Sequence, residues 1–180
     1  MDLDFIREQF PAFSDRSLDG WAFFENAGGS YAALPVIERL TSYYQKNKVQ
    51  PYAQYPASTS AGEQMDESYE RLAEYLNVES NEVHFGPSTS QNTYVLAQAF
   101  RHAWCEGDEI IVTDQDHEAN SGVWRRLSES GIVVREWQVN EQSGELCVND
   151  LACLINPRTR LLAFTHCSNI VAHINPVRKI

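Results

Sequence analysis

The first half of the chain has apolar residues at helical spacing in three segments. Residues 4–9 form one candidate helix, a second begins at Pro35, and a third extends from a predicted cap at Ser60 to about Asn77. Residues 21–26, with the sequence WAFFEN, are predicted to form a short strand. We therefore expect the first half to be mainly helical.

After residue 81 short apolar runs alternate with amphipathic segments. Strands that alternate with helices indicate crossover connections and a mostly parallel sheet with helices on both faces. We therefore predict an α/β fold, in which ligands bind at the carboxyl ends of the strands. The predicted strands are residues 82–85, 109–114, 132–139 and 160–167, and the predicted helices are residues 89–103, 120–131 and 148–155.

Residues suited to chemistry follow three of these predicted strands. Ser88, Thr89 and Ser90 follow the first, His117 lies in the segment DHEAN after the second, and Asn169 follows the last. Because the carboxyl ends of parallel strands meet at one edge of a sheet, we expect these side chains to share a crevice.

The three hydroxyl residues begin a predicted helix, which gives them two possible roles. The first-turn N–H groups of a helix have no partner within it, and the helix dipole favours negative charge there, so a phosphate is a suitable ligand. The alternative is helix capping by Ser or Thr, which needs no ligand and stabilises by about 1 kcal/mol.

His117 and Asn169 also have alternative interpretations. The imidazole of His117 can stack on a ring or transfer a proton, pack against the following helix, or bind a metal, although no matching set of His or Cys ligands accompanies it. Asn169 can donate to an oxygen on a bound ring or form an Asx turn. Together with the hydroxyl cluster, the two residues predict a pocket for an aromatic phosphate ester and no metal site.

Composition narrows the class of protein. The formal net charge of −11 argues against nucleic acid or an anionic membrane as a partner, since both require clustered Lys and Arg. The first residues contain no apolar run of signal-peptide length and no segment is long enough to span a bilayer, so we expect a cytoplasmic protein. The four cysteines are widely spaced, which favours reduced and mostly buried thiols over a disulfide framework or a zinc site.

Four segments resemble the class V aminotransferase branch of the fold-type I pyridoxal phosphate enzymes, in particular cysteine desulfurase-like proteins. They are FFENAGGSYAALPVIERL, EVHFGPSTSQNTYVLAQAF, GDEIIVTDQDHEANSGVWRRL and PRTRLLAFTHCSNIVAHINPVRKI. They occur in the order and with the spacing of the family. The resemblance implies an aspartate aminotransferase-like large domain that is incomplete here, formed by residues 21–180, with residues 1–20 belonging to a small domain or dimer arm.

The resemblance also implies a role for each candidate residue. Ser88, Thr89 and Ser90 match the turn that binds the phosphate of pyridoxal 5'-phosphate, and His117 matches the catalytic imidazole that stacks on the pyridine ring. Asn169 matches the amide that bonds the ring oxygen, and Asn26 matches a loop near the substrate. The family implies a small amino-acid substrate and a homodimer with its sites at the subunit boundary.

Two family residues have no counterpart in the sequence. In the family, the Asp that pairs with the pyridinium nitrogen and the Lys that anchors the cofactor come after the position of Asn175. The chain ends at Ile180, so we expect it to be an N-terminal portion that is inactive alone. The alternative is a non-catalytic binding or dimerisation module. A nucleotide-binding domain is disfavoured because neither GxGxxG after a strand nor GxxxxGK[ST] is present.

Overall fold

The computed structural model describes residues 1–180 and contains six α-helices and three β-strands, with short 3-10 and π turns between them. No helix is both long and apolar enough to cross a membrane. The chain divides into two compact units, Met1–His84 and Phe85–Ile180. The elements in chain order are α1 (Leu3–Glu8), α2 (Leu34–Ser42), α3 (Pro56–Leu76), α4 (Thr89–Arg101), β1 (Glu109–Thr113), α5 (Glu118–Arg125), β2 (Val133–Trp137), α6 (Val148–Leu154) and β3 (Thr159–Leu162).

All six predicted helices are confirmed, but the predicted start of α3 is wrong. The helix begins after Tyr55, with Pro56 in its first turn, so Ser60 lies inside the helix and does not cap it. Proline fits this position because its fixed φ is helical and its missing N–H would have no helical partner. The helix ends as expected at Asn77, which has a left-handed φ of 56°.

Two predicted strands do not form. Residues 21–25 and 83–86 lie outside regular structure, and the exposed side chains of Trp21 and Phe24 contribute little to the first unit's core. An apolar run becomes a strand only where another strand accepts its backbone hydrogen bonds, and neither segment pairs with one. The hydroxyl cluster therefore follows a loop rather than a strand.

The second unit contains a three-stranded parallel sheet in the order β2-β1-β3. The central strand β1 is buried along its whole length, and its alternate residues enter two separate cores. Ile110 and Val112 pack with Trp124 of α5 on one face, whereas Ile111 packs with Leu151 of α6 on the other. Both faces are therefore covered by helices, which confirms the predicted parallel α/β arrangement.

The strands β2 and β3 are shorter than predicted, which lengthens the loops after them. After β3 the chain forms a loop closed by an isolated antiparallel bridge between Cys167 and Ile174. This loop carries Asn169, so six residues lie between the end of β3 and Asn169, which does not directly follow the strand as predicted. The division of the chain into residues 1–20 and 21–180 stays a prediction.

Candidate functional site

The start of α4 is a capped helix terminus. Ser88 is the N-cap, and its Oγ accepts a hydrogen bond from Gln91 N at 3.2 Å. Just before it, a Cβ added to Gly86 would lie 1.6 Å from Asn92 Oδ1, so the Asn92 amide occupies the space that any other side chain would need. Glycine at position 86 thus lets the first turn of α4 pack closely against the preceding loop.

His117 is held at the start of α5 through both its backbone and its ring. Asp116 Oδ1 accepts from His117 N at 2.8 Å, and His117 Nδ1 accepts from Ala119 N at 3.0 Å. Because a backbone N–H donates to Nδ1, that nitrogen carries no proton. The neutral ring therefore has its proton on Nε2, which leaves an N–H donor available on the ring.

A cleft of about 470 Å³ joins the starts of α4 and α5. Ser88, Ser90 and Tyr94 lie on its α4 side, and His117 and Arg126 lie on the side of α5 and the turn after it. The hydroxyl groups, the first-turn N–H groups and the guanidinium all favour an anion. Glu118, the one carboxylate lining this cleft, lies 3.5 Å from Arg125 Nη1.

A second cleft of about 200 Å³ opens at the carboxyl end of the sheet and shares His117 with the first. Asn169 lines it, together with Asp114, Asp116 and Ser168. Its two carboxylates already accept protein hydrogen bonds, since Asp114 Oδ1 receives Val139 N and Asp116 Oδ2 receives Asn120 Nδ2. These hydrogen bonds partly compensate the negative charge of the two carboxylates, so the cleft repels an anionic ligand less than two unbonded carboxylates would.

The structure brings four of the six predicted site residues to these two clefts. Ser88 and Ser90 line the first, Asn169 lines the second, and His117 lines both. Thr89 lines neither, and its carbonyl accepts from Thr93 Oγ1 at 2.9 Å. Asn26 belongs to the first unit, where its Oδ1 accepts from Ser30 Oγ at 3.3 Å.

Arg125, next to the first cleft, is fixed by two bonds to one carboxylate. Its Nε and Nη2 donate to Glu136 Oε1 and Oε2 at 2.8 Å and 3.0 Å. The hydrogen bonds with Glu136 raise the pKa of the Arg125 guanidinium above its ordinary value. Arg125 thus links α5 to β2 and keeps its charge, while Arg126 faces the cleft.

Two buried amides at the second cleft were not predicted from the sequence. Gln115 and Asn175 are almost fully buried and bonded to each other, with Asn175 Nδ2 donating to Gln115 Oε1 at 2.7 Å. Gln115 stands among acidic residues and Asn175 precedes a proline, which are contexts typical of exposed loops. Sixty positions separate the two residues, so only the folded chain reveals the pair.

The cysteines differ from the prediction in their exposure. All four are free thiols, but Cys105, Cys147, Cys153 and Cys167 are exposed rather than buried. They lie in loops or on the outer side of the short helix α6, where apolar packing does not reach them. No group of three or more His, Cys, Asp or Glu side chains is arranged to hold a metal ion.

A sequence profile of one family, described as "Aminotransferase class-V", matches residues 22–180. The chain is 34% identical over 181 residues to the aminotransferase-like protein FGM3 of Gibberella zeae and 30% identical to a cysteine desulfurase of Yersinia pseudotuberculosis. Each alignment covers 97% of this chain and 44% of the relative. The chain therefore spans less than half the length of these curated relatives.

Solved structures with the same fold include an apo cysteine desulfurase from Thermococcus onnurineus, with a TM-score of 0.86 at 24% identity. That match covers 98% of this chain and 43% of the other. A variant of C-DES with glycine covalently linked to its PLP cofactor matches with a TM-score of 0.75 at 23% identity, over 94% of this chain and 43% of the other. These likenesses establish the fold.

Proposed function

The chain belongs to the aminotransferase class-V family, and we propose that it forms the phosphate- and ring-binding part of a pyridoxal 5'-phosphate site. The whole enzyme acts on a small amino acid, since the names of several relatives and structural neighbours, cysteine desulfurases, specify cysteine. The homodimer implied by the sequence resemblance stays a prediction.

The observation that carries this proposal is the position of His117 on the walls of both clefts. One cleft offers donors for a phosphate and the other contains the Asn169 amide, so a ring beside the imidazole is within reach of both kinds of group. This arrangement supports one continuous site for an aromatic phosphate ester, in which His117 is the connecting residue.

The donor set fits the cofactor. The hydroxyl of Ser90, the first-turn N–H groups of α4 and the Arg126 guanidinium suit a phosphate dianion. The imidazole of His117 offers a flat face for a pyridine ring, and Asn169 is suited to bond an oxygen on that ring. Pyridoxal phosphate, when bound, supplies an aldehyde that condenses with amines and a ring that accepts electrons.

The tautomer of His117 limits its part in the chemistry. Because Nδ1 accepts from Ala119 N, the neutral ring presents Nε2–H, which donates a hydrogen bond and cannot accept a proton. We therefore assign His117 to stacking and to hydrogen-bond donation at Nε2. A role as proton acceptor requires that the bond to Ala119 first breaks.

None of the three lysines of the chain lines either cleft. Lys46 and Lys48 belong to the first unit, where Lys48 Nζ lies 4.9 Å from the centre of the Tyr44 ring. Lys179 is in the turn formed by Val177–Lys179. We infer that the 180-residue chain binds the cofactor reversibly, through its phosphate and ring, without a covalent bond to lysine and without catalytic turnover.

Titration with pyridoxine 5'-phosphate tests this function. This probe has the phosphate and the ring but an alcohol in place of the aldehyde, so it does not react with surface lysines. We expect saturable binding to the 180-residue chain that His117→Ala weakens by about twofold to tenfold, because stacking of aromatic rings contributes about 0.5–1.5 kcal/mol. Ser90→Ala weakens binding by a few-fold through loss of one hydrogen bond of about 1 kcal/mol.

His102→Ala is the matched control, since His102 is exposed at the other end of α4 and lines neither cleft. Its affinity for the probe should equal that of the unmodified chain. The proposal is wrong if the unmodified chain shows no saturable binding, or if His117→Ala binds as tightly as His102→Ala.

A further inference from the structure

We propose that Gln115, Asn175 and Ser168 form a buried positioning network that holds His117 and Asn169 at the walls of the second cleft. The inference rests on the proposed function, because it explains how that site keeps its shape. The network joins the loops that follow the three strands. None of these three residues is assigned to contact the cofactor directly.

Gln115 connects the loop after β1 to the other two loops. It lies two positions before His117, and its backbone N donates to Thr113 Oγ1 at 3.1 Å. Its Nε2 donates to Gly144 O, in the turn after β2, at 2.6 Å. Its Oε1 accepts from Asn175 Nδ2 in the loop after β3. One side chain therefore fixes the position of the His117 backbone relative to both neighbouring loops.

Asn175 and Ser168 close the loop that carries Asn169. Asn175 Nδ2 also donates to Thr165 O at 2.8 Å, and its backbone N donates to His166 O at 2.8 Å. Ser168 Oγ accepts from Ile170 N and Val171 N, each at 3.3 Å. Asn169 thus stands between a hydroxyl that bonds the backbone after it and an amide that bonds the backbone before it.

Because the network is buried, the loss of any of its hydrogen bonds is not compensated by water. Asn175 and Ser168 are 1% and 3% exposed, so a polar group that loses its partner there does not gain water in exchange. Replacing Gln115 by Leu leaves Gly144 O without its donor and removes one of the two acceptors of Asn175 Nδ2. The loops are then expected to shift until these groups reach water, and His117 and Asn169 move with them.

The network is not the arrangement that stability alone would select. Asn175 Oδ1 is buried and has no hydrogen-bond partner, which destabilises the folded chain. Asn175→Leu removes this unpaired oxygen as well as two useful donors, so the stability effects partly cancel. The effect on the position of Asn169 does not cancel. Loss of ligand affinity without a matching loss of stability is therefore the signature of a positioning role.

The test compares Gln115→Leu and Asn175→Leu with Asn156→Leu in the 180-residue chain. Asn156 also donates through Nδ2 in a part-buried bond, at 2.7 Å to Glu109 Oε2, but it lies at the opposite end of the sheet. Affinity for pyridoxine 5'-phosphate is measured at a temperature where circular dichroism shows each variant to be folded. Nuclear magnetic resonance spectra of the ligand-free chains follow the side-chain signals of Asn169 and His117.

We expect Gln115→Leu and Asn175→Leu each to weaken binding about tenfold, which corresponds to about 1.4 kcal/mol. The Asn169 amide and His117 imidazole signals should move in both variants. Asn156→Leu should lower the melting temperature while leaving the affinity and both signals unchanged. Ser168→Ala, which removes only one hydroxyl, serves as a milder variant if the amide variants do not fold, and should move the Asn169 signal.

Unchanged Asn169 and His117 signals in the folded network variants would contradict the positioning network, as would unchanged affinity. If Asn156→Leu loses as much affinity as Gln115→Leu and Asn175→Leu, the network contributes only to stability and does not position the two site residues. If the unmodified chain does not bind the probe, the proposed function fails, and the spectra of the ligand-free variants still decide whether the network positions the two residues.

Discussion

Ala172, in the loop that carries Asn169, has a left-handed backbone with a φ of 55°. Its N donates to Ser168 O at 2.9 Å, so the conformation belongs to the same closed loop as the positioning network. A side chain beyond glycine strains this conformation by about 1–2 kcal/mol, because Cβ approaches the following carbonyl oxygen. The loop around the candidate site therefore stores strain at one residue.

We predict that Ala172→Gly raises the free energy of unfolding by about 0.5–1 kcal/mol, since relief of strain exceeds the extra entropy that glycine loses on folding. Urea denaturation followed by circular dichroism measures the change. Gly144→Ala is the control of opposite sign, because Gly144 has a φ of 71° and its added Cβ would lie 3.3 Å from Val171 Cγ1. If Ala172→Gly is less stable than the unmodified chain, the Ala172 methyl group stabilises the loop more than its left-handed backbone strains it.

Single residues differ in how far sequence predicts them. Ser88 and His117 were identifiable because each has a polar side chain at the start of a strongly patterned helix, and the position suggests both capping and ligand binding. Gln115 and Asn175 have no such local pattern, since their burial depends on loops far apart in the chain. The left-handed φ of Ala172 is equally invisible, because alanine carries no turn signal.

The strand β1 begins with a charged residue that is fully buried. Glu109 has no exposed side-chain surface, and it accepts hydrogen bonds from Arg135, Arg158 and Asn156. The bond from Arg135, followed by that from Asn156 and the nearby guanidinium charges, lowers the pKa of the Glu109 carboxyl from 4.5 to about 2. This cluster joins β1 to β2 and to the turn before β3, at the end of the sheet opposite the clefts.

The stability that Glu109 contributes should depend on pH with a definite sign. A carboxylate with a lowered pKa stabilises the fold fully above its ordinary pKa of 4.5 and loses this contribution as pH falls toward about 2. We predict that Glu109→Gln lowers the melting temperature at pH 7 and that its difference from the unmodified chain narrows between about pH 4.5 and about pH 2. Thermal melts across this range measure it.

Glu129→Gln, at an exposed position after α5, is the control and should show no comparable difference at any pH. If the difference in melting temperature between Glu109→Gln and the unmodified chain stays constant down to pH 2, the Arg and Asn donors do not favour the charged carboxylate. The binding of pyridoxine 5'-phosphate at pH 7 should change little, because the cluster lies away from both clefts.

Helices were predicted better than strands, and the reason is physical. A helix satisfies its own hydrogen bonds, so the spacing of apolar residues within one segment is enough to identify it. A strand depends on partners elsewhere in the chain, which is why residues 21–26 and 82–85 were predicted as strands and are not. Each of the three strands that do form follows an α-helix in the chain, as the alternating pattern indicated.

For the whole chain, the acidic net charge opposes self-association and the exposed apolar surface favours it. The formal net charge of −11 makes copies of the chain repel one another. Several large apolar side chains are nevertheless mostly exposed, including Trp21 at 79%, Phe24 at 90% and Ile170 at 76%. Exposed apolar side chains favour contact with another surface where they form a contiguous patch.

We predict that the 180-residue chain self-associates more strongly as salt is added, because screening removes the repulsion between acidic copies while apolar contacts persist. Sedimentation velocity at about 0.02 M and about 0.5 M NaCl spans Debye lengths from about 20 Å to about 4 Å and measures the change. Trp21→Ser combined with Phe24→Ser should reduce the association at high salt, and Glu70→Ser, an exposed polar position on α3, should not. A chain that stays monomeric at both salt concentrations would show that its exposed apolar side chains are too scattered to form a contact. Association that decreases with salt would show that attraction between charged groups, rather than apolar contact, holds the copies together.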